Sequence, residues 1–271
     1  MDKLYLKNVE IFANHGVFEE EKMLGQKFIL DLEVSVDLKE AAVTGDLSKS
    51  INYGELCHEI ERLFKEKTYD LIESAAERIA DYILAEYSNA KAVKLMLKKP
   101  WAPIGRHLDY AAVEIQRSIH TAYLSIGSNM DGKDKNLTEA IEKINELNGV
   151  KVTKKSDFII TKPWGNLNQD DFLNAALEIK TTLSPKELIH ELLNIENLMK
   201  RVRTEKWGPR VIDLDVIFYD DIISDDPEIT LPHPLMEDRE FVLKPLSQIA
   251  PNKVHPLLKK RVFRLLEDIN K

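Results

Sequence analysis

From Phe28 to Asp37 the chain alternates strictly: Phe28, Leu30, Leu32, Val34 and Val36 interleave with Ile29, Asp31, Glu33, Ser35 and Asp37. A period of two places the first set on one face of an extended strand, so this segment requires a sheet with one buried face. Leu4 to Phe12 reads as a strand before it. Two amphipathic helices follow, Tyr53 to about Lys67 with Leu56, Ile60, Leu63 and Phe64 on one stripe, and Ile72 to about Tyr87 with Ile72, Ala76, Ile79 and Ile83 on another. Strands over Val93 to Lys99 and about Asp109 to Gln116 complete the order β, β, α, α, β, β. That order predicts an α+β unit in which helices cover an antiparallel sheet.

A second pattern begins at Thr121 to Ile126, a strand ending in Gly127-Ser128-Asn129. A helix near Asn136 to Leu147 is expected next, then a strand near Val150 to Thr161 and another over Leu173 to Thr181. The helix from Pro185 to about Lys200 carries a start signal, with Ser184 as N-cap, Pro185 at N1 and Glu187 at N3. A strand over Val211 to Tyr219 and a last helix over Pro256 to Asn270 follow. At 271 residues the chain exceeds the usual size of one domain, and two are expected, over 1–118 and 119–271. Only about Arg117 to His120 links them, and no internal repeat is evident.

No apolar run approaches a membrane span, and the N-terminal residues lack the pattern of a secretory signal, which predicts a cytoplasmic protein. The single cysteine, Cys57, cannot form an intrachain disulfide and falls among apolar helix positions, suggesting a packing role. The net charge of −8, with basic and acidic residues interspersed, disfavours nucleic acid or an anionic membrane as main partner. There is no GxxxxGK[ST] loop, and the seven histidines show no paired spacing for zinc.

The chemistry concentrates in Lys206-Trp207-Gly208-Pro209-Arg210-Val211-Ile212-Asp213-Leu214-Asp215. On a strand Asp213 and Asp215 share one face, roughly 7 Å apart, while Ile212, Leu214 and Val216 share the other. Such a pair is a platform for Mg²⁺ that also binds polyphosphate oxygens. An ordinary half-exposed strand would show the same alternation. Arg201, Arg203 and Arg210 add forks for phosphate, and Trp207 offers a ring for stacking.

Gly127-Ser128-Asn129, Phe172-Leu173-Asn174-Ala175-Ala176, Arg201-Val202-Arg203, the Trp207 to Asp215 run and Leu231-Pro232-His233-Pro234 occur in this order. Together they resemble 6-hydroxymethyl-7,8-dihydropterin pyrophosphokinase over nearly all of residues 121–271. The resemblance implies a ferredoxin-like, three-layer α/β domain that transfers the β,γ-pyrophosphate of ATP to the pterin hydroxymethyl group. It further implies two Mg²⁺ ions on Asp213 and Asp215, with Arg201 and Arg210 gripping phosphates. Glu196, Arg203, Trp207, His233 and Arg239 would surround ATP, while Phe172, Asn174 and Phe241 line the pterin pocket. Family members often have Tyr where Phe172 stands. Taken singly, these aromatics fit a core equally well. The loop from Thr161 to Asp171 is expected to close on nucleotide binding.

The first half carries His15-Gly16, Leu24-Gly25-Gln26-Lys27-Phe28, Asn52-Tyr53-Gly54-Glu55, Leu71-Ile72-Glu73 and Lys98-Lys99-Pro100-Trp101-Ala102-Pro103-Ile104. This set is similar to dihydroneopterin aldolase, a T-fold enzyme, over residues 1 to about 117. By that resemblance Glu73, with Ile72, holds the pterin N2 and N3 edge, Lys99 and a water handle protons near N5, and Tyr53 serves the hydroxyl. Glu21 would stand near the substrate, with Glu19 and Glu20 as alternatives in alignment. The ring is the electron sink, so neither a Schiff base nor an organic cofactor is expected. Assembly into tetramers or octamers is implied, with sites between subunits. On residues alone, Asp70-Leu71-Ile72-Glu73 also reads as a capping box and Lys99 as a lysine leaving a strand.

The sequence thus predicts a bifunctional folate-biosynthesis enzyme acting on 7,8-dihydroneopterin, 6-hydroxymethyl-7,8-dihydropterin and ATP. The alternatives are a non-catalytic protein that binds pterins or nucleotides, or a first half that is an epimerase or cyclohydrolase-like T-fold enzyme.

Overall fold

A computed structural model describes residues 1–163, 169–199 and 210–270. Arg201, Arg203 and Trp207, and the Trp164-Gly165-Asn166 part of the expected closing loop, lie outside the described residues. The protein forms two compact units, Met1–Ile119 and His120–Lys271.

The first unit contains β1 (Asp2–Ala13), α1 (Glu19–Leu24), β2 (Gln26–Val36), α2 (Lys39–Thr44), α3 (Tyr53–Glu66), α4 (Ile72–Glu86), β3 (Ala90–Lys99) and β4 (Ala111–Ser118). The strands pair antiparallel in the order β1-β2-β3-β4. The alternation of β2 is realised, with Leu30, Leu32 and Val34 facing Leu97, Leu95 and Val93 across the sheet. All six are buried. Against this face α3 packs Leu56, Ile60, Leu63 and Phe64, and α4 packs Ala75, Ala76, Ile79, Ala80, Ile83 and Leu84. The small residues let α4 approach the sheet closely. Asn52 starts α3 because its side-chain oxygen accepts from the Gly54 and Glu55 amides, satisfying donors that a helix start leaves open.

Two local expectations are corrected. No capping box forms at the start of α4, where Leu71 is the N-cap and makes no side-chain bond. Asp70 instead pairs with Lys22 at 3.0 Å. Cys57 is half-buried, at the edge of the α3 stripe rather than within the core.

The second unit contains β5 (His120–Ser128), α5 (Lys133–Glu146), β6 (Val150–Lys155), β7 (Ile159–Thr161), β8 (Phe172–Thr181), α6 (Pro185–Leu198), β9 (Asp213–Tyr219), α7 (Glu240–Ile249) and α8 (Val262–Ile269). The antiparallel sheet has the order β6-β8-β5-β9, and β7 pairs with the start of β8. One core joins Leu124, Ile126, Leu177, Leu214 and Val216 to Leu137, Ala140 and Ile144 of α5 and Leu188, Leu192 and Ile195 of α6. Another joins Ala176, Ile217 and Phe218 to Val242, Leu243 and Leu246 of α7 and Val262 and Leu265 of α8. The sheet is therefore covered on both faces, giving three layers.

The capping box at Ser184 forms with Pro185 at N1 and Glu187 at N3. The expected single strand over Val150 to Thr161 is divided into β6 and β7. Between them Ser156 turns inward, its Oγ accepting from Ala176 N–H at 2.9 Å. The last helix starts at Val262 rather than Pro256, because a turn precedes it in which His255 Nδ1 accepts from the Leu257 and Leu258 amides. Among the described residues no helix is long and apolar enough to cross a membrane.

Candidate functional site

Three adjacent strands of the second unit aim polar groups at one place. In the antiparallel register Ser125 lies opposite Asp215, and Gly127 lies opposite both Asp213 on β9 and Asn174 on β8. Directly paired residues share a face, so these groups converge. Gly127 makes room for this, since a Cβ there would sit 2.5 Å from Asn174 Oδ1. Asn174 in turn donates to Thr161 Oγ1 of β7 at 2.7 Å. Leu214 and Val216 anchor the other face of β9 in the core.

These groups line a cavity of about 280 Å³. Of the residues expected from sequence, Phe172, Asn174, Glu196, Arg210, Asp213, Asp215, His233, Arg239 and Phe241 all reach it. Arg210 pairs with Asp213. His233 Nε2 stands 3.8 Å from Asp215 Oδ2, while its backbone N–H donates to Ile217 O at 3.0 Å. The Arg239 guanidinium lies 5.9 Å from the Phe241 ring centroid, within cation–π range. Glu196 also has a structural task, accepting from the Leu214 N–H at 2.8 Å and so fixing β9 between the two aspartates.

The electrostatics suit a cation. Burial raises the Asp215 pKa above the ordinary carboxylate value, and the neighbouring Asp213 charge raises it further, against His233, Arg239 and Arg210. Its side chain is 39% exposed and lines the cavity. Two carboxylates held close, with a repulsion that the neighbouring cations relieve only in part, form a donor set that fits a divalent ion. Among the described residues no group of three or more His, Cys, Asp or Glu is arranged for a metal, and the pair is what these residues offer. That suits Mg²⁺, which keeps water and substrate phosphate in its shell.

In the first unit the Lys99 ammonium meets Glu21 Oε1 at 2.5 Å, with side chains 12% and 9% exposed. Glu21 also accepts from Gln26 Nε2 at 2.9 Å and from the Phe18 N–H at 3.1 Å. Burial pushes its pKa up, but these donors and the Lys99 charge outweigh that and leave it below the ordinary value. Glu19 instead pairs with Lys22 at the exposed surface, so among Glu19, Glu20 and Glu21 the structure brings only Glu21 to Lys99. Tyr53 and Glu73 are exposed at the first turns of α3 and α4, and Ile72 is half-buried.

The family model described as 7,8-dihydro-6-hydroxymethylpterin-pyrophosphokinase matches residues 123–251, and that described as dihydroneopterin aldolase matches residues 4–116. A 2-amino-4-hydroxy-6-hydroxymethyldihydropteridine pyrophosphokinase of Methylorubrum extorquens is 44% identical over 133 residues, 49% of this chain and 84% of that protein. This chain belongs to the hydroxymethyldihydropterin pyrophosphokinase family, and the residues ahead of that part are similar to dihydroneopterin aldolase. The folic acid synthesis protein FOL1 of Dictyostelium discoideum is 30% identical over 285 residues, covering 95% of this chain and 43% of that protein. Its Pneumocystis carinii namesake is 31% identical over 278 residues, 94% of this chain and 36% of that protein. The chain thus spans less than half the length of either. Among solved structures, E. coli dihydroneopterin aldolase in complex with neopterin is 25% identical, with a TM-score of 0.41 over 44% of this chain and all of that one.

In the pyrophosphokinase unit, sequence reasoning missed Ser125 and Leu193, which also line the cavity, and it marked Thr161, Lys162 and Gln169 only as parts of the expected closing loop. It also gave Asn129 no task. Asn129 is buried, donates to Gln169 Oε1 at 3.0 Å, and accepts from the Arg210 N–H at 2.8 Å. Its place at the end of Gly127-Ser128-Asn129 was the available signal. In the first unit the buried Gln26 beside Glu21 was read only as part of the Leu24 to Phe28 motif and given no task, although it breaks the apolar alternation of β2.

Proposed function

We propose that this protein cleaves 7,8-dihydroneopterin to glycolaldehyde and 6-hydroxymethyl-7,8-dihydropterin in its first unit. The second unit then transfers the β,γ-pyrophosphate of ATP to that hydroxymethyl group and releases AMP. The observation that carries the reading is the convergence of Asp213, Asp215, Arg210, Asn174, Phe172 and Phe241 on one cavity.

In the second unit Asn174 and the rings of Phe172 and Phe241 orient a flat pterin. Arg210 and Arg239 face the anionic phosphates, and His233 stands beside Asp215 to receive charge at the same wall. Asp213 and Asp215 would hold Mg²⁺, which, when bound, orients the attacking hydroxyl and neutralises charge on the transferring group. The protein's share is positioning: a strand fixed by its core face and by Glu196 holds both carboxylates in place.

In the first unit Glu73 accepts hydrogen bonds from the pterin N2 and N3 edge, where the helix start favours a carboxylate. Cleavage of the carbon–carbon bond in the substrate's hydroxylated tail sends its electron pair into the pterin ring. Lys99, kept in place by Glu21, handles the proton near N5, and Tyr53 serves the hydroxyl end. With Tyr53 and Glu73 on the exposed surface, a second copy of the protein would complete this site, giving a tetramer or octamer through the aldolase unit.

The test supplies purified protein with 7,8-dihydroneopterin and Mg²⁺, with and without ATP, and quantifies glycolaldehyde, AMP and pterin diphosphate. Glycolaldehyde without ATP and AMP only with ATP support both steps. Glycolaldehyde without AMP would leave the second unit a pterin binder, and the absence of both products would overturn the reading.

A further inference from the structure

On β2 every second residue from Gln26 to Val36 is buried, and all of these are Phe, Leu or Val except Gln26 itself. At 4% exposure it occupies a place where the period-two pattern asks for an aliphatic side chain. Its Nε2 donates to the His15 carbonyl at 3.1 Å and to Glu21 Oε1 at 2.9 Å. Both partners are acceptors, which fixes the orientation of the amide. Its Oε1 is then buried with no hydrogen-bond partner among the described residues. An acceptor left this way destabilises a fold, and Leu or Met would fill the same place without it. What the glutamine supplies in exchange is its pair of N–H donors.

Those donors act on the oxygen that matters. Glu21 Oε1 is the atom that meets the Lys99 ammonium, while Oε2 accepts from the Phe18 N–H. Gly16 leaves room for the carboxylate, since a Cβ there would lie 2.4 Å from Glu21 Cδ. Surrounded in this way, the carboxylate has one orientation. We propose that Gln26 is a positioning residue of the aldolase site: it ties Glu21 Oε1 to the His15 carbonyl, just after β1, and thereby sets where the Lys99 ammonium stands. The proposal rests on the aldolase reading of this unit. Gln26 acts through Glu21 and Lys99 rather than by touching the pterin.

The full-length protein is assayed for glycolaldehyde release from 7,8-dihydroneopterin as wild type, Gln26→Met and Gln26→Glu, with circular dichroism melts of each. For Gln26→Met the melt is expected to be unchanged or shifted up, kcat to fall ten- to a hundredfold, and KM to stay within threefold. Gln26→Glu keeps the shape but sets a second carboxylate against Glu21, so its kcat falls further at neutral pH. AMP formation from supplied 6-hydroxymethyl-7,8-dihydropterin should be unaffected in both. A folded variant within twofold of wild-type kcat, or a change in KM alone, would overturn the proposal. Loss of fold in both variants would assign Gln26 to architecture and overturn it too. Wild-type protein that releases no glycolaldehyde would sink the aldolase reading itself, a result distinct from either.

Discussion

Lys99 on β3 and Glu21 on α1, 78 positions apart in sequence, meet as an ion pair at 2.5 Å with almost no solvent around either side chain. Removing one partner strands the other charge. Lys99→Ala is expected to abolish glycolaldehyde release and to destabilise the first unit by about 3 kcal/mol. The pair also sets a pH dependence. Glu21 has a folded pKa below its ordinary 4.5, so its contribution to stability is present above that value and is lost as pH falls through the folded pKa. Melts of the first unit should show wild type losing its advantage over Glu21→Gln below about pH 4.5, and an unchanged gap down to pH 3 would count against it.

Gly16 is needed for the same arrangement. It has φ +152°, and a Cβ would fall on the Glu21 carboxyl. Gly16→Ala should lower kcat for the aldolase step by at least tenfold while AMP formation from supplied hydroxymethyldihydropterin continues. Equal loss of both activities would point to general misfolding.

Gly127 plays the matching part in the second unit by letting Asn174 lie across β5. Gly127→Ala should turn Asn174 away from Thr161 and raise KM for the pterin roughly tenfold, with KM for ATP little changed. Steady-state AMP release with each substrate varied separately checks this.

The elements legible in the sequence are those whose own residues declare a period or a cap. Strand β2 alternates throughout, α3 and α4 carry continuous apolar stripes, and α6 has Ser184, Pro185 and Glu187 at its start. The missed helices α1 and α2 are six residues each and bury none, so they show no stripe to read. Helix α7 was hidden by Pro245, which argues against a helix locally, yet Val242, Leu243 and Leu246 hold it on the sheet. In the site, Asp213 and Asp215 were legible because their i, i+2 spacing lies on one strand. The contact of Glu21 with Lys99, and the Asn129 bridge, depend on tertiary approach that no local pattern encodes.

Asp215 carries a load that its proposed task explains and stability does not. Burial and the Asp213 charge both oppose its ionisation, so neutralising it relieves the apoprotein. Asp215→Asn should cut AMP formation by about 10³-fold, yet melt at the same temperature as wild type or slightly higher without Mg²⁺. Adding Mg²⁺ with a nonhydrolysable ATP analogue should raise the wild-type melt and leave the variant nearly unmoved. A variant stabilised as much as wild type would remove Asp215 from the ion's ligands.

Asn129 joins two walls of the pyrophosphokinase cavity. Its Oδ1 accepts from the Arg210 N–H at 2.8 Å, its own N–H donates to Arg210 O at 3.3 Å, and its Nδ2 donates to Gln169 Oε1 at 3.0 Å. Being 2% exposed, it leaves no ready solvent to replace those bonds. Asn129→Ala would abandon the Arg210 N–H inside the protein, a loss of about 2 kcal/mol from the second unit. It would also free Arg210 beside Asp213 and Gln169 at the cavity rim, so kcat for AMP formation should fall while glycolaldehyde release is untouched. Asn129→Asp keeps the acceptor for Arg210 but loses the donor to Gln169, and should restore most of the stability with only part of the rate. If the aspartate variant is as unstable as the alanine one, the Arg210 bond is not what Asn129 contributes.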